Sequence, residues 1–178
     1  MADRPARLNP RRPAWGTAAA CAVLVTATAA VLGVLPVQLM RAGSGSMSPA
    51  VPTGALLLVV HQDTPGHRRD VVTVSETVTG VELVKRVVAV AGETVAVEDG
   101  RLVVSGHPVC ESGVDPERED GVWFGPVTVP PGEVFLLGDD RADSVDSRVF
   151  GTVPVTALTG RVTFRAWPDP GALDDGLC

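Results

Sequence analysis

Residues 82–90 read Glu82-Leu83-Val84-Lys85-Arg86-Val87-Val88-Ala89-Val90. Four valines and no Gly or Pro make this run a β-strand, because branched side chains pack well on a pleated surface. Alternation places Leu83, Lys85, Val87 and Ala89 on one face and Val84, Arg86, Val88 and Val90 on the other. Lys85 thus shares its face with three apolar residues. It is also the only lysine of the chain, among fifteen basic residues. Arginine cannot lose its proton in a protein, whereas a desolvated lysine can. At the reference pKa of ~10.4 about 0.04% of a lysine is neutral at pH 7, and at ~7.5 about a quarter is. Two readings of Lys85 follow. One is a buried base. The other is a sheet-margin side chain whose amine reaches water, in a composition that disfavours lysine.

Outward from this strand the pattern repeats. Short β-type runs occur at ALLLVVH (55–61), DVVTVS (70–75), TVAVE (94–98), RLVVS (101–105), EVFLL (133–137) and GRVTFRAW (160–167). Asp99-Gly100, between two of them, is a hairpin signal. Beyond Met40 no stretch sustains a helical apolar period, so residues ~44–168 are expected to form one all-β domain. The Glu-, Asp- and Gly-rich stretch 111–126 is expected to be a surface excursion, and 169–178 a loose tail. His61, His67 and His107 are scattered, and no His/Cys cluster has metal-ligand spacing. Neither a metal nor a cofactor is expected.

The N-terminal segment, up to Met40, differs from the rest. Residues 1–12 form a basic segment with Arg4, Arg7, Arg11 and Arg12 against Asp3. Residues 13–40 carry no charge. That run is longer than the ~20 residues a bilayer needs. Residues 41–178 hold 11 basic against 20 acidic side chains, a net −9. The positive-inside rule then places the N-terminus in the cytoplasm and residues 41–168 outside, as a domain held by a single-pass transmembrane segment. A cleaved leader is the rival reading, since Ala27-Thr28-Ala29 has the A-x-A form, but the apolar run continues past it. An acidic exported domain argues against nucleic acid as a partner. Cys21 falls in the apolar run. Cys110 and Cys178 both fall outside, where a disulfide would persist, and either pair or leave Cys178 loose.

A base requires a nucleophile. Ser46 lies in the turn Gly43-Ser44-Gly45-Ser46-Met47-Ser48-Pro49. Its glycines permit tight geometry and close approach of a substrate chain. Ser–Lys pairs are one form of activated-serine catalysis. A flexible linker is also Gly/Ser-rich, although Met47 and Pro49 are not linker-like. A third cluster, Gly138-Asp139-Asp140-Arg141-Ala142-Asp143-Ser144-Val145-Asp146-Ser147-Arg148, follows the strand EVFLL. It reads either as a solvated loop or as a hydrogen-bonded scaffold in which Asp146 pairs with Arg148 and Ser144 meets an amine.

Four segments in this order, SGSMSP (44–49), RRDVVTV (68–74), VKRVVAVAGE (84–93) and GDDRADSVDSRVFGTVP (138–154), resemble the boxes of bacterial signal peptidase I, a membrane-anchored serine peptidase. The resemblance covers most of 43–167. It implies a catalytic β domain of coiled antiparallel sheets behind one transmembrane helix. It implies Ser46 as nucleophile, Lys85 as general base, Ser44 in the oxyanion hole, Ser144 orienting Lys85, and Asp146 with Arg148 as a supporting ion pair. It implies exported preproteins with signal peptides as substrates, the lipid bilayer as a neighbour, and the plasma membrane as location. The sequence departs from the family's Asn-Arg-Asp-Asn at Asp140-Arg141-Ala142-Asp143. Two rival functions stand beside this reading, and the departure supports only the first. One is a peptidase of the same kind dedicated to a single substrate such as a pilin. The other is a non-catalytic peptide-binding homologue.

Overall fold

A valine strand apolar on both faces needs cover on both sides, and the computed structural model places it accordingly. It describes residues 15–31, 36–61, 66–75, 81–112, 114 and 123–173. In chain order the elements are helix α1 (Trp15–Val31), then strands β1 (Val37–Arg41), β2 (Leu56–Val60), β3 (Val71–Ser75), β4 (Glu82–Val90), β5 (Thr94–Glu98), β6 (Arg101–Val104), β7 (His107–Pro108), β8 (Phe124–Thr128) and β9 (Glu133–Leu137). The short helix α2 (Ser147–Phe150), β10 (Val153–Pro154), a 3-10 turn at Val155–Ala157 and β11 (Leu158–Trp167) complete it. Seven strands form one antiparallel sheet in the order β1-β2-β11-β3-β4-β9-β10, and four form a second in the order β7-β6-β5-β8. The protein is mostly β, as expected.

Strand β4 has the bounds read from the sequence and lies inside the larger sheet, with β3 on one edge and β9 on the other. Its alternation breaks at one point. Val87 pairs with Leu136 but Ala89 pairs with Phe135, so Val88 is an extra residue. Such a bulge reverses the facing of everything after it. Ala89 was expected beside Leu83, Lys85 and Val87. Instead Val90 packs with Leu83 and Val87, while Val88 and Ala89 turn into the core beneath the second sheet with Val95, Leu102, Phe135 and Leu137. The hairpin expected at Asp99-Gly100 joins β5 to β6. Asp99 has φ 51° and Gly100 φ 74°. Both are left-handed, as a two-residue type I′ turn requires.

Three boundaries read from the sequence move. The uncharged run does not stay in one element to Met40. Its helix ends at Val31, and Val37–Arg41 pairs with β2 from Val37↔Val60 to Arg41↔Leu56. Hydropathy alone does not separate an apolar strand from an apolar helix, and Pro36 marks the change. Residues 124–128, expected in a surface excursion, form β8, whose Phe124 ring packs 5.5 Å from Phe135. Residues 169–173 are not loose. Gly171 exchanges backbone hydrogen bonds of 2.8 and 3.0 Å with Arg165, and Leu173 packs on the core of Met47, Val51, Leu57 and Val59. Among the described residues no helix is long and apolar enough to cross a membrane, α1 having 17 residues. Residues 1–12 lie outside the described residues.

Candidate active site

The Ser46 turn is tied down at its base and from within. Ala42 and Ala55 close it through an N–H to carbonyl bond of 2.9 Å, and Gly54 donates to Ala42 at 2.8 Å. Inside it, Ser48 N–H donates to Gly45 at 2.8 Å and Val51 N–H to Met47 at 2.6 Å. Met47 and Val51 are buried in the core, which removes the linker reading. Their burial holds Ser46 between them and β4. The Ser46 carbonyl accepts from the Asp140 N–H at 3.1 Å, so the turn is also bonded to the 138–148 segment. Because that bond uses the main chain, the departure from asparagine at position 140 leaves it intact.

Lys85 is 2% exposed. Its Nζ lies 2.7 Å from Ser46 Oγ and 3.1 Å from Ser144 Oγ, across 39 and 59 residues of chain. Ser44 Oγ is 3.4 Å from Ser46 Oγ, on the solvent side. The space for this meeting comes from Gly138. β9 pairs Leu137 with Arg86, so the next residue lies beside Lys85. A Cβ on Gly138 would sit 2.2 Å from Ser144 Oγ and 2.5 Å from both Ser144 Cβ and the Ser46 carbonyl oxygen.

The 138–148 segment is a bonded scaffold rather than a solvated loop. Asp146 is fully buried and caps α2. It accepts from Gly138 N–H at 3.0 Å and from Arg148 Nε and Nη2, both at 2.9 Å. Arg148 Nη2 also donates to the Arg141 carbonyl at 2.7 Å. Two further ion pairs lie alongside. Arg86 forks onto Asp139 with two bonds of 2.8 Å, and Arg141 pairs with Glu111 while its Nε donates to Gly138 at 3.0 Å. Thus the sequence-derived residues Ser46, Lys85, Ser144, Asp146 and Arg148 are brought together, with Ser44 at the rim.

Glu111, Arg86, Asp139 and Gly138 were not singled out from the sequence. Gly138 was findable as the glycine directly after a buried strand. Glu111 was not, since its acid-rich neighbourhood reads as surface. Cys110, immediately before it, is disulfide-bonded, and Cys178 lies outside the described residues. Among the described residues no group of His, Cys, Asp and Glu is placed to hold a metal.

Burial lowers the Lys85 pKa, with Arg148 adding to the effect and Asp146 and Asp139 opposing it. For Asp146 burial alone would raise the pKa. The hydrogen bonds from Arg148, the Gly138 N–H and Ser144, with the Arg148 charge, outweigh it and hold the carboxyl below the usual range. Burial raises Glu111 against the pull of Arg141. A buried pair broken on one side typically costs about 3–5 kcal/mol. Asp146→Ala, which strands Arg148 and the Gly138 N–H, is therefore expected to lose about that much in a urea melt at pH 7. The depressed carboxyl contributes its stability above the ordinary value of ~3.9 and loses it as pH falls through the lower folded value. The two melting curves should accordingly converge in acid.

The arrangement can move a proton in one direction. The Ser144 hydroxyl donates a hydrogen bond to the Asp146 carboxylate. Its oxygen is then left to accept an N–H from Lys85. A neutral amine has one lone pair, and with Ser144 taking an N–H that pair is left for the Ser46 hydroxyl.

The family model described as signal peptidase, peptidase S26, matches residues 14–167. A signal peptidase I of Bacillus caldolyticus is 36% identical over 137 residues, covering 69% of this chain and 75% of that protein. A signal peptidase I of Mycobacterium tuberculosis is 41% identical over 108 residues, covering 49% of this chain but only 37% of its own length. The crystal structure of a signal peptidase I from Enterococcus faecalis superposes with a TM-score of 0.50 at 28% identity, covering 57% of this chain and all of that one. With a family match over most of its length and a relative covered across three quarters of its own, the chain belongs to the signal peptidase family, peptidase S26.

Proposed function

We propose that the protein is a membrane-anchored serine endopeptidase that removes signal peptides from exported preproteins. Ser46 is the nucleophile and Lys85 the general base. The observation that carries this is the contact of 2.7 Å between Ser46 Oγ and the amine of a buried lysine whose pKa is lowered. Neutral Lys85 takes the Ser46 proton as Oγ attacks the scissile carbonyl. Ser144 and Asp146 hold the amine so that its lone pair faces that proton. The Ser46 N–H and the Ser44 hydroxyl receive the developing oxyanion. Lys85 then protonates the leaving amine, and a water deprotonated by the same lysine hydrolyses the ester at Ser46.

Substrate placement follows from sheet pairing. β9 pairs with β4 only over Arg86–Val90, so on that side Glu82–Val84 has no partner among the described strands. That edge borders a cleft of about 240 Å³ lined by Ala42, Ser44, Met47, Leu83 and Val84 and opening on Ser46. An extended chain adding along this edge presents alternate side chains to a small apolar cleft, which favours small residues next to the cut.

Anchoring is supported by the charge-free run 13–40 and by α1. Its residues Val23, Leu24 and Val25 are each about two thirds exposed. Lipid would cover such an apolar helix surface. In this reading residues 1–12 are cytoplasmic, the anchor is the part of 13–40 that precedes β1, and the extracytoplasmic peptidase domain runs from β1 to residue 168.

The test is cleavage of a purified preprotein by the full chain in detergent. The expected products are the mature protein and the signal peptide, and Ser46→Ala should yield neither. Cleavage that survives Ser46→Ala, or folded protein that cuts no preprotein, would leave the peptide-binding reading in its place.

A further inference from the structure

A second pocket lies on the other side of β3, away from the Ser46 turn. Strand β11 pairs with β3 only over Leu158–Arg161 and then continues with β2 as its partner strand. Opposite Val162 and Thr163 there is a turn instead of a strand. The resulting pocket, about 320 Å³, is lined by Arg68, Arg69, Asp70, Arg161, Val162 and Thr163. Its polar lining is three arginines and Asp70, with Glu93 against Arg68, in a chain of net charge −6.

Two observations mark these arginines as more than a solvated patch. Arg69 has φ 82°. That conformation costs a side-chain-bearing residue strain and glycine almost none. The turn is nevertheless held there. Arg69 N–H donates to Val87 at 2.7 Å, its carbonyl accepts from Arg86 Nη1 at 3.1 Å, and Asp70 N–H donates to His67 at 3.0 Å. An arginine is thus kept at the pocket where glycine would be easier. Arg161, for its part, is weakly held. Its Nη1 lies 3.5 Å from Asp70 Oδ1, and its Nε is buried without a hydrogen-bond partner. That Nε is occluded in this conformation, and a turn of the side chain toward the pocket would give it to a two-point oxyanion contact. Arg68 leans away onto Glu93 at 3.1 Å.

The register gives the pocket a location. Arg161 pairs with Val60, and Val60 with Val37, the first residue of β1. Helix α1 ends at Val31. The connection from there to Val37 reaches roughly 20 Å when fully extended. The pocket therefore sits at the end of the domain nearest α1. We propose that this pocket is a phosphate-binding site that takes the headgroup of an anionic phospholipid. The lipid source rests on the anchoring reading given above, and free phosphate is the other source of the same chemistry. A phosphodiester supplies the acceptor that Arg161 lacks and the negative charge that the neighbouring Arg69 favours, and the edge position brings it within reach.

The test uses the full chain in a neutral detergent, in the Ser46→Ala background so that lipid binding is read apart from cleavage. Phosphatidylglycerol and phosphatidylcholine are titrated and bound lipid is counted by native mass spectrometry. Phosphatidylglycerol is expected to bind at least tenfold more tightly than phosphatidylcholine. Arg161→Gln and Arg69→Gly should each lose that preference. Arg69→Gly, relieved of strain, should melt no lower than its parent, which separates lost binding from lost folding. Equal binding of the two lipids, or an unchanged preference in both variants, overturns the proposal. Displacement of the lipid by millimolar inorganic phosphate overturns the lipid assignment and gives the site to the free ion. If the parent protein with Ser46 intact fails to cut preproteins while the lipid preference is kept, the peptidase reading alone is sunk.

Discussion

Lys85→Met is expected to lower the rate of preprotein cleavage by about 10³-fold or more, the scale on which removal of a general base acts. The fold should not suffer. Lys85 is buried with a lowered pKa, so its protonation opposes folding. The unfolded chain binds that proton more tightly than the folded one. The parent is therefore penalised at pH below the folded pKa, and the penalty fades as pH rises from that value toward the ordinary ~10.4. Methionine fills similar volume without a charge, and its melting temperature should equal or exceed the parent's at pH 6. Lys85→Arg should be as inactive as the methionine variant, because a guanidinium cannot accept the Ser46 proton. The parent's cleavage rate should rise with pH through the Lys85 pKa, and that acid limb should lie below the range of an ordinary lysine. An active Lys85→Arg protein would exclude Lys85 as the base.

Gly138→Ala should also damage the site, by sterics alone. The added methyl meets Ser144 on one side and the Ser46 carbonyl on the other, at distances where something must move. Both neighbours belong to the contact around Lys85. Overpacking of this kind costs about 1–3 kcal/mol. A displacement of about 1 Å in a catalytic contact costs on the order of 10²-fold in rate. Both effects are expected together, read from thermal melts and initial rates of the same preparation. Pairing the change with Ser144→Gly removes the clashes with Ser144 and leaves the one with Ser46. Stability should then largely return while activity does not, since the Ser46 carbonyl is still crowded and the lysine has lost its orienting hydroxyl. Full activity in Gly138→Ala would mean that the contact between Lys85 and Ser46 tolerates slack that the geometry does not suggest.

These two residues differ in how far they could be read from the chain. Lys85 announced itself by composition and by its apolar neighbours. Gly138 did not, because a glycine after a strand fits any turn, and its importance depends on what two other segments place against it. Strand positions were legible wherever short apolar, β-favouring runs lay between turn residues, as in β4, β5 and β9. They were missed where hydropathy was ambiguous, as in β1, which continues an uncharged helix, and β8, which follows an acidic stretch.

The sequence by itself determined the strand that carries Lys85, the hairpin at Asp99-Gly100, and the two polar segments around Ser46 and at 138–148. Those features depend on φ/ψ preferences and side-chain periodicity, which act over short stretches of chain. Only the tertiary structure decided that Val88 bulges and turns Ala89 away from the lysine's face. It also decided that Glu111 reaches Arg141, and that Lys85 meets Ser46 at 2.7 Å and Ser144 at 3.1 Å across 39 and 59 residues. Such contacts are set by how the β3-β4-β9 strands pair and by where the Met47 and Asp146 side chains are buried. Packing between distant segments has no signature in local periodicity.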